Sequence, residues 1–189
     1  NEMMRNIMGQ QQSGFNFREV MDQQKILLVN LAKGRTGEVN AKLLGLIIVA
    51  KLQMAALARA DISETERTDF FLYIDEFQNF ITDSISTILS EARKYKLDLI
   101  IAHQYMGQLT NEKGRAEIRE AVLGNVGTIM SGRIGPEDAE ILSKEFAPTF
   151  GGYDLLNAPE YSFYVKELID NEASKPFLLR SYPPRSGNP

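Results

Sequence analysis

The chain of 189 residues is long enough for one ordinary domain with a buried core, and its 43% hydrophobic and 24% charged residues exclude wholesale disorder and fibrous architecture. It has no cysteine and a single histidine, His103, which removes disulfide scaffolds, thiolate zinc sites, iron–sulfur clusters, cysteine nucleophiles and multi-histidine metal centres. A net charge of −4 supplies no global positive field for nucleic acid, although a local basic channel can sit on an acidic protein.

Residues 1–14 carry no apolar signal core and do not read as a translation start, so they are expected to lie mid-protein in a longer parent. Lys25-Ile-Leu-Leu-Val-Asn-Leu-Ala32 is a continuous apolar run with the pattern of a strand covered on both faces. The loop Lys33–Gly37 leads into a helix over Asn40–Ala60, apolar almost all round and therefore expected to be largely buried. Its most apolar stretch, Leu43–Ala50, is flanked by Lys42 and Lys51, far short of the roughly 18 uninterrupted apolar residues of a membrane span. A charged loop, Asp61–Asp69, precedes a second covered strand, Phe70–Ile74.

Ser84–Lys94 reads as an amphipathic helix with Ile85, Ile88, Leu89 and Ala92 on one stripe. Leu97–Ala102 is a third strand, Ala116–Leu123 a short helix, and Thr128–Ser131 a fourth strand. Pro136 opens a helix with Glu137 and Asp138 in its first turn, where the macrodipole favours acids. Tyr161–Leu168 reads as a last strand, and 171–189 as an extended or disordered tail. Alternating strands and helices predict an α/β fold with a mostly parallel sheet, whose chemistry collects at the carboxyl ends of the strands. That rule selects Asp75, Glu76, Gln104 and Arg133.

Phe70-Phe-Leu-Tyr-Ile-Asp75-Glu76 has the Walker B pattern: a buried strand delivers a rigid carboxylate to Mg²⁺, and the following acid polarises the attacking water. Read as a plain strand end, the same residues would leave Asp75 capping the next turn and Glu76 solvated. Gln104 closes the next strand, where an amide can sense a γ-phosphate or orient a water; otherwise it is a polar loop residue. His103 reads as structural. Arg133, in Ser131-Gly-Arg133-Ile-Gly135, has small neighbours that give its guanidinium room to reach a phosphate. Arg93 and Lys94 could act likewise, or simply complement a helix C-terminus. No Gly-x-x-x-x-Gly-Lys-[Ser/Thr] loop is present; the near match Gly9–Gly14 is followed by Phe15-Asn16 and has neither lysine nor hydroxyl.

Tyr73-Ile-Asp-Glu-Phe-Gln-Asn79, Ile88-Leu-Ser-Glu-Ala-Arg-Lys-Tyr95, Leu99-Ile-Ile-Ala-His-Gln104, Asn125-Val-Gly-Thr-Ile129 and Arg133 resemble, in order and spacing, the second half of HerA/FtsK-superfamily ATPases. More narrowly they are similar to TraG-type coupling proteins and related bacterial type IV secretion or conjugative DNA-transfer ATPases. The resemblance implies a RecA-like P-loop NTPase core over 15–170 lacking the Walker A portion. It further implies ATP and Mg²⁺ in the intact parent, a homo-oligomeric, hexameric ring, DNA or protein as cargo, and a cytoplasmic place at the inner face of the membrane beside a secretion or conjugation complex. Asp75 would hold Mg²⁺, Glu76 activate water, Gln104 sense the γ-phosphate, Arg133 act as the arginine finger, and Arg93 contact the nucleotide.

Two other readings compete with the motor. One is a non-catalytic remnant or interaction module of the same fold; the other is a metal-dependent hydrolase, for which only Asp83 and Glu91 offer further acids. In RecA-like sheets the P-loop strand lies between the strands ending at Gln104 and Arg133. Leu97–Ala102 and Thr128–Ser131 are therefore expected to pair directly or to take a strand from another chain, with self-association.

Overall fold

The structure, a computed structural model, describes residues 5–6, 9–10, 14–81, 88–89, 91–109 and 116–183. They fall into two units, one formed by 1–104 with 109–122 and the other by 105–108 with 123–189.

The first unit opens with α1 (Phe17–Asp22), whose first amides are capped by the Asn16 side chain, which accepts from Arg18 N at 2.8 Å and Glu19 N at 3.4 Å. A single turn, α2 (Lys33–Thr36), and Gly37 at φ 78° lead into α3 (Glu38–Leu57), extended by a 3₁₀ turn over Ala58–Asp61. The charged loop contains a second 3₁₀ turn, Glu64–Glu66, before β1 (Phe70–Ile74). β1 pairs in parallel with β2 (Leu97–Ile101) from Phe70↔Leu97 to Ile74↔Ile101. Bonds from Phe70 N to Lys96 O (2.9 Å) and Ala102 N to Ile74 O (3.0 Å) extend the pairing at both ends. Of the expected helix over Ser84–Lys94, residues 84–87 and 90 lie outside the described residues; Ile88, Leu89 and Glu91 are helical, and Ala92–Tyr95 forms a 3₁₀ turn.

Two expectations fail in this unit. Among the described residues the run Lys25–Ala32 enters no ladder, and Ile26 and Leu28 are 88% and 89% exposed. A strand covered on both faces needs a layer on each side, and among the described residues this run has none over Ile26 and Leu28. Instead the run lines a groove of about 1010 Å³ together with β1 and one face of α3. Helix α3 is likewise only partly buried: Ala41, Leu44, Leu52, Ala55 and Ala56 face the core, whereas Val39, Leu43, Met54 and Leu57 are exposed. By length and composition Glu38–Asp61 could cross a membrane. Its small-residue face is committed to protein, however: a Cβ at Gly45 would run into the ring of Phe80 and meet Leu31.

Three arginines bolt the amino-terminal end of this sheet. Arg59, fully buried, bonds through Nε to Asp22 Oδ1 (2.9 Å) and through Nη1 to the carbonyls of Thr68 (2.9 Å), Tyr95 (3.0 Å) and Lys96 (3.3 Å). Arg18 bonds to Asp61, Asp22 and the Ala58 carbonyl; the hydrogen bonds to Asp61 and then Asp22 raise the Arg18 pKa, and Arg18 in turn holds the Asp61 carboxyl below its usual range. Arg67 bonds to the carbonyls of Arg59, Ile62 and Lys94 and lies over the Tyr95 ring. The sites where the chain enters β1 and β2 are thus fixed by charged hydrogen bonds.

α4 (Glu117–Asn125) carries the sequence from the first unit into the second. There β3 (Thr128–Ser131) pairs antiparallel with β4 (Ser162–Ile169), which also pairs with β5 (Glu172–Ala173) and β6 (Phe177–Arg180). The stretch from 171 onward is therefore not merely a tail, because it contributes two strands. α5 (Pro136–Phe146) and α6 (Gly152–Leu156) pack together, and Tyr164 of β4 lies against Phe146 and Phe150. Burial, with Asp154 adding to it, pushes the Tyr164 hydroxyl up.

The single, mostly parallel sheet expected from sequence is thus replaced by a parallel pair in one unit and an antiparallel sheet in the other. Among the described residues β2 pairs only with β1 and β3 only with β4, so the direct pairing of Leu97–Ala102 with Thr128–Ser131 does not occur.

Candidate functional site

The parallel register carries β1 and β2 to the same edge, where Asp75-Glu76 and Gln104 follow them. Phe77 anchors the intervening turn. Its fully buried ring sits in the core while its N–H donates to the Ala102 carbonyl at 2.9 Å, tying the chain after Glu76 to the end of β2. A 3₁₀ turn over Phe77–Phe80 follows.

Between strand and turn, Glu76 takes the left-handed conformation, φ 51° and ψ 45°. For a residue with a Cβ this costs about 1–2 kcal/mol, so the surroundings must over-determine it. They do. The Glu76 N–H donates to Asp75 Oδ1 (2.9 Å), and its carbonyl accepts from Asn79 N (2.9 Å) and Asn79 Nδ2 (3.0 Å). Its carboxylate accepts from two amides, Gln104 Nε2 to Oε1 at 2.8 Å and Gln78 Nε2 to Oε2 at 2.5 Å. Both oxygens are held, yet each keeps a further lone pair for a water.

Asp75 is exposed and uses one carboxylate oxygen on the Glu76 amide. The turn-capping role weighed from sequence is therefore present, and the second oxygen stays available to a cation. Glu76 is not simply solvated, because it is the acceptor at the centre of the cluster.

Sequence reasoning missed Gln78 and Asn79. The signal available was Phe77, an apolar residue directly after two acids, which forces the chain to fold back beneath the sheet. Gln78 bears a cost: its Oε1 is buried with no partner among the described residues, a loss of roughly 1–3 kcal/mol, while its Nε2 serves Glu76.

Arg133 does not join this edge as an element of one sheet. It follows β3 in the second unit, exposed, with Nε donating to the Ala158 carbonyl at 3.1 Å. That bond orients the guanidinium and leaves Nη1 and Nη2 without an acceptor among the described residues. Arg93 is exposed in the turn before β2, so it lies at the opposite end of the strand, roughly 17 Å away for five residues of strand. The structure does not bring it to Asp75, Glu76 and Gln104. Asp83 lies outside the described residues. Among the described residues no group of three acidic or histidine side chains could hold a metal, so nothing there supports the metal-hydrolase reading.

The structure is similar to the bacterial conjugative coupling protein TrwBdeltaN70 (TM-score 0.50, 14% identity), covering 62% of this chain and 32% of that one. It is also similar to the genome packaging NTPase of Sulfolobus turreted icosahedral virus 2, solved with AMPPCP and with ATP-gammaS (TM-scores 0.52 and 0.52, identities 16% and 15%). Those matches cover 85% and 86% of this chain and 70% and 71% of those. An uncharacterized protein of Mycoplasma pneumoniae is 24% identical over 122 residues, 65% of this chain and 76% of its own length. The fold is that of the RecA-like P-loop NTPases. Residues 69–162, about half of the chain, match the family described as the TraM recognition site of TraD and TraG, and the chain accordingly belongs to this TraG-type family. It spans about a third of the length of the coupling protein it matches.

Proposed function

We propose that the chain supplies the water-activating and nucleotide-sensing half of an ATP-driven DNA-transfer motor. The observation that carries this reading is the clustering of Asp75, Glu76 and Gln104 at one strand edge, with Glu76 held in a strained backbone conformation by five hydrogen bonds. The family match and the conjugative and genome-packaging neighbours support the DNA-transfer class, and the nucleotide analogues in the viral neighbour support nucleotide use.

Glu76 is the general base: its carboxylate, fixed in plane by two amides, takes the proton of a water aligned with the γ-phosphate. Asp75 suits Mg²⁺, which is typically held by one or two carboxylates together with substrate phosphates and would supply charge neutralisation there. Gln104, which follows β2 and donates to Glu76 Oε1, is the residue placed to sense the γ-phosphate. Arg133, oriented from Ala158, is the arginine finger offered to a neighbouring subunit of a homo-oligomeric ring. The phosphate cradle comes from a Gly-Lys-[Ser/Thr] segment in the same intact protein, at the cytoplasmic face of a membrane-associated transfer complex.

The test is Glu76→Gln in the intact ATPase. Turnover should fall by about 10²–10⁴-fold with ATP still bound, the scale of a lost general base. Unchanged hydrolysis removes Glu76 from the role.

A further inference from the structure

We infer that Gln78 is a positioning residue for the reaction, acting through Glu76, and that Gln78 and Gln104 together form a two-amide clamp on the base. The inference rests on the proposed role of Glu76 and adds a residue and a device to it.

Three observations on this turn point the same way. Gln78 Nε2 lies 2.5 Å from Glu76 Oε2 and Gln104 Nε2 lies 2.8 Å from Oε1, so one donor meets each oxygen. The donors come from different parts of the chain, one two residues after the base and one from the end of β2, and so fix the carboxylate plane from two directions. The Gln78 amide also sits where its own oxygen is buried without a partner among the described residues. A side chain selected only for stability would not be kept there, since an apolar residue of similar volume avoids the orphaned oxygen. What the amide gives in return is the bond to Glu76.

The left-handed backbone at Glu76 explains why a clamp is needed. The residue is turned out of the strand, and Asp75 and Asn79 fasten only its main chain. Without the side-chain bonds the carboxylate is free to rotate about three χ angles. Gln104 can also engage a nucleotide, so its hold on Glu76 varies with the nucleotide state, whereas Gln78 touches only the base. Gln78 is then the constant half of the clamp and Gln104 the variable half.

The experiment compares Gln78→Leu, Gln78→Glu and Glu76→Gln in the intact ATPase, measuring kcat, KM for ATP and Tm, and adds an NMR reading on the 189-residue chain. Gln78→Leu should lower kcat by about 10- to 100-fold, the scale of an ångström of misplacement, with KM for ATP within about twofold of wild type. Its Tm should be unchanged or higher, because the orphaned oxygen is gone. Gln78→Glu, which puts an ionised carboxylate against Glu76, should lower kcat at least as far. In the 189-residue chain, the side-chain amide proton signals of both Gln78 and Gln104 should move when Glu76 is replaced by alanine.

A wild-type kcat in Gln78→Leu, or amide signals indifferent to Glu76→Ala, overturns the clamp. A lower Tm with kcat and ATP binding lost together assigns Gln78 a merely structural role and also overturns it. Turnover that survives Glu76→Gln overturns the base itself, and that outcome is distinct from a dead Glu76→Gln beside a fully active Gln78→Leu.

Discussion

Replacing Arg59 by methionine isolates the polar bolt that organises the site from the far end of its sheet. The guanidinium is fully buried and links α1 through Asp22 to the residues just before β1 (Thr68) and β2 (Tyr95 and Lys96). Methionine keeps most of the volume, so the loss is one of hydrogen bonds. Asp22 retains Arg18 at 2.6 Å, and Lys96 O retains Phe70 N, so neither is stranded. The Thr68 and Tyr95 carbonyls each lose a charged donor, at roughly 1–3 kcal/mol apiece. Removing the unpartnered Nη2 returns part of that.

The net expectation is a loss of about 3 kcal/mol, at the lower end of what breaking a buried ionic cluster costs. For a unit of this size that is a fall in Tm of about 10–20 °C, read by calorimetry or circular dichroism. Arg59→Lys should recover less than half, because one ammonium cannot span acceptors that a planar fork reaches. A fall of less than about 4 °C in Arg59→Met would refute the hub.

Gly45→Ala should destabilise by about 1–2 kcal/mol net, as the clash with Phe80 outweighs the helix-propensity gain, and adding Phe80→Leu should restore much of the loss in thermal melts. Burial, then Asp69, raises the Asp98 pKa against the opposing pull of Lys96 and Arg93, so the unfolded chain ionises first as pH rises. Asp98 therefore detracts from stability above about pH 4, and Asp98→Asn should raise Tm at pH 7 but not at pH 3, which paired melts at the two values check. Arg133→Ala in the intact ATPase should lower turnover by at least about 10³-fold with ATP binding intact, and mixing it with Glu76→Gln subunits should restore measurable hydrolysis; no recovery on mixing would refute action between subunits.

Local pattern made the edge of the site legible. An apolar run ending in two acids marks both a strand and what it delivers, and the same holds for Leu97–Ile101 and Gln104. What stayed hidden depends on the third dimension. Gln78 reaches Glu76 only because the chain turns left-handed there, and a turn residue two positions after an acid reads as solvated. Arg59 reads as a charge at a helix end, yet its acceptors lie 9 to 37 residues distant in sequence. The opposite error arose at Ile26 and Leu28, whose pattern reports burial that this chain does not provide. Arg93 was drawn to the site as a helix-end cation and by the family resemblance, and the parallel register carries it to the other end of β2.

The most direct measurement is magnesium-dependent ATP hydrolysis by two purified proteins: the 189-residue chain alone, and an intact form that includes a Gly-Lys-[Ser/Thr] segment. Phosphate binding needs backbone amides and a lysine in that arrangement, which residues 1–189 lack. The account predicts no measurable turnover from the chain alone and turnover in the intact form that disappears with Glu76→Gln. Robust hydrolysis by the 189-residue chain, or an intact form indifferent to Glu76→Gln, would contradict it.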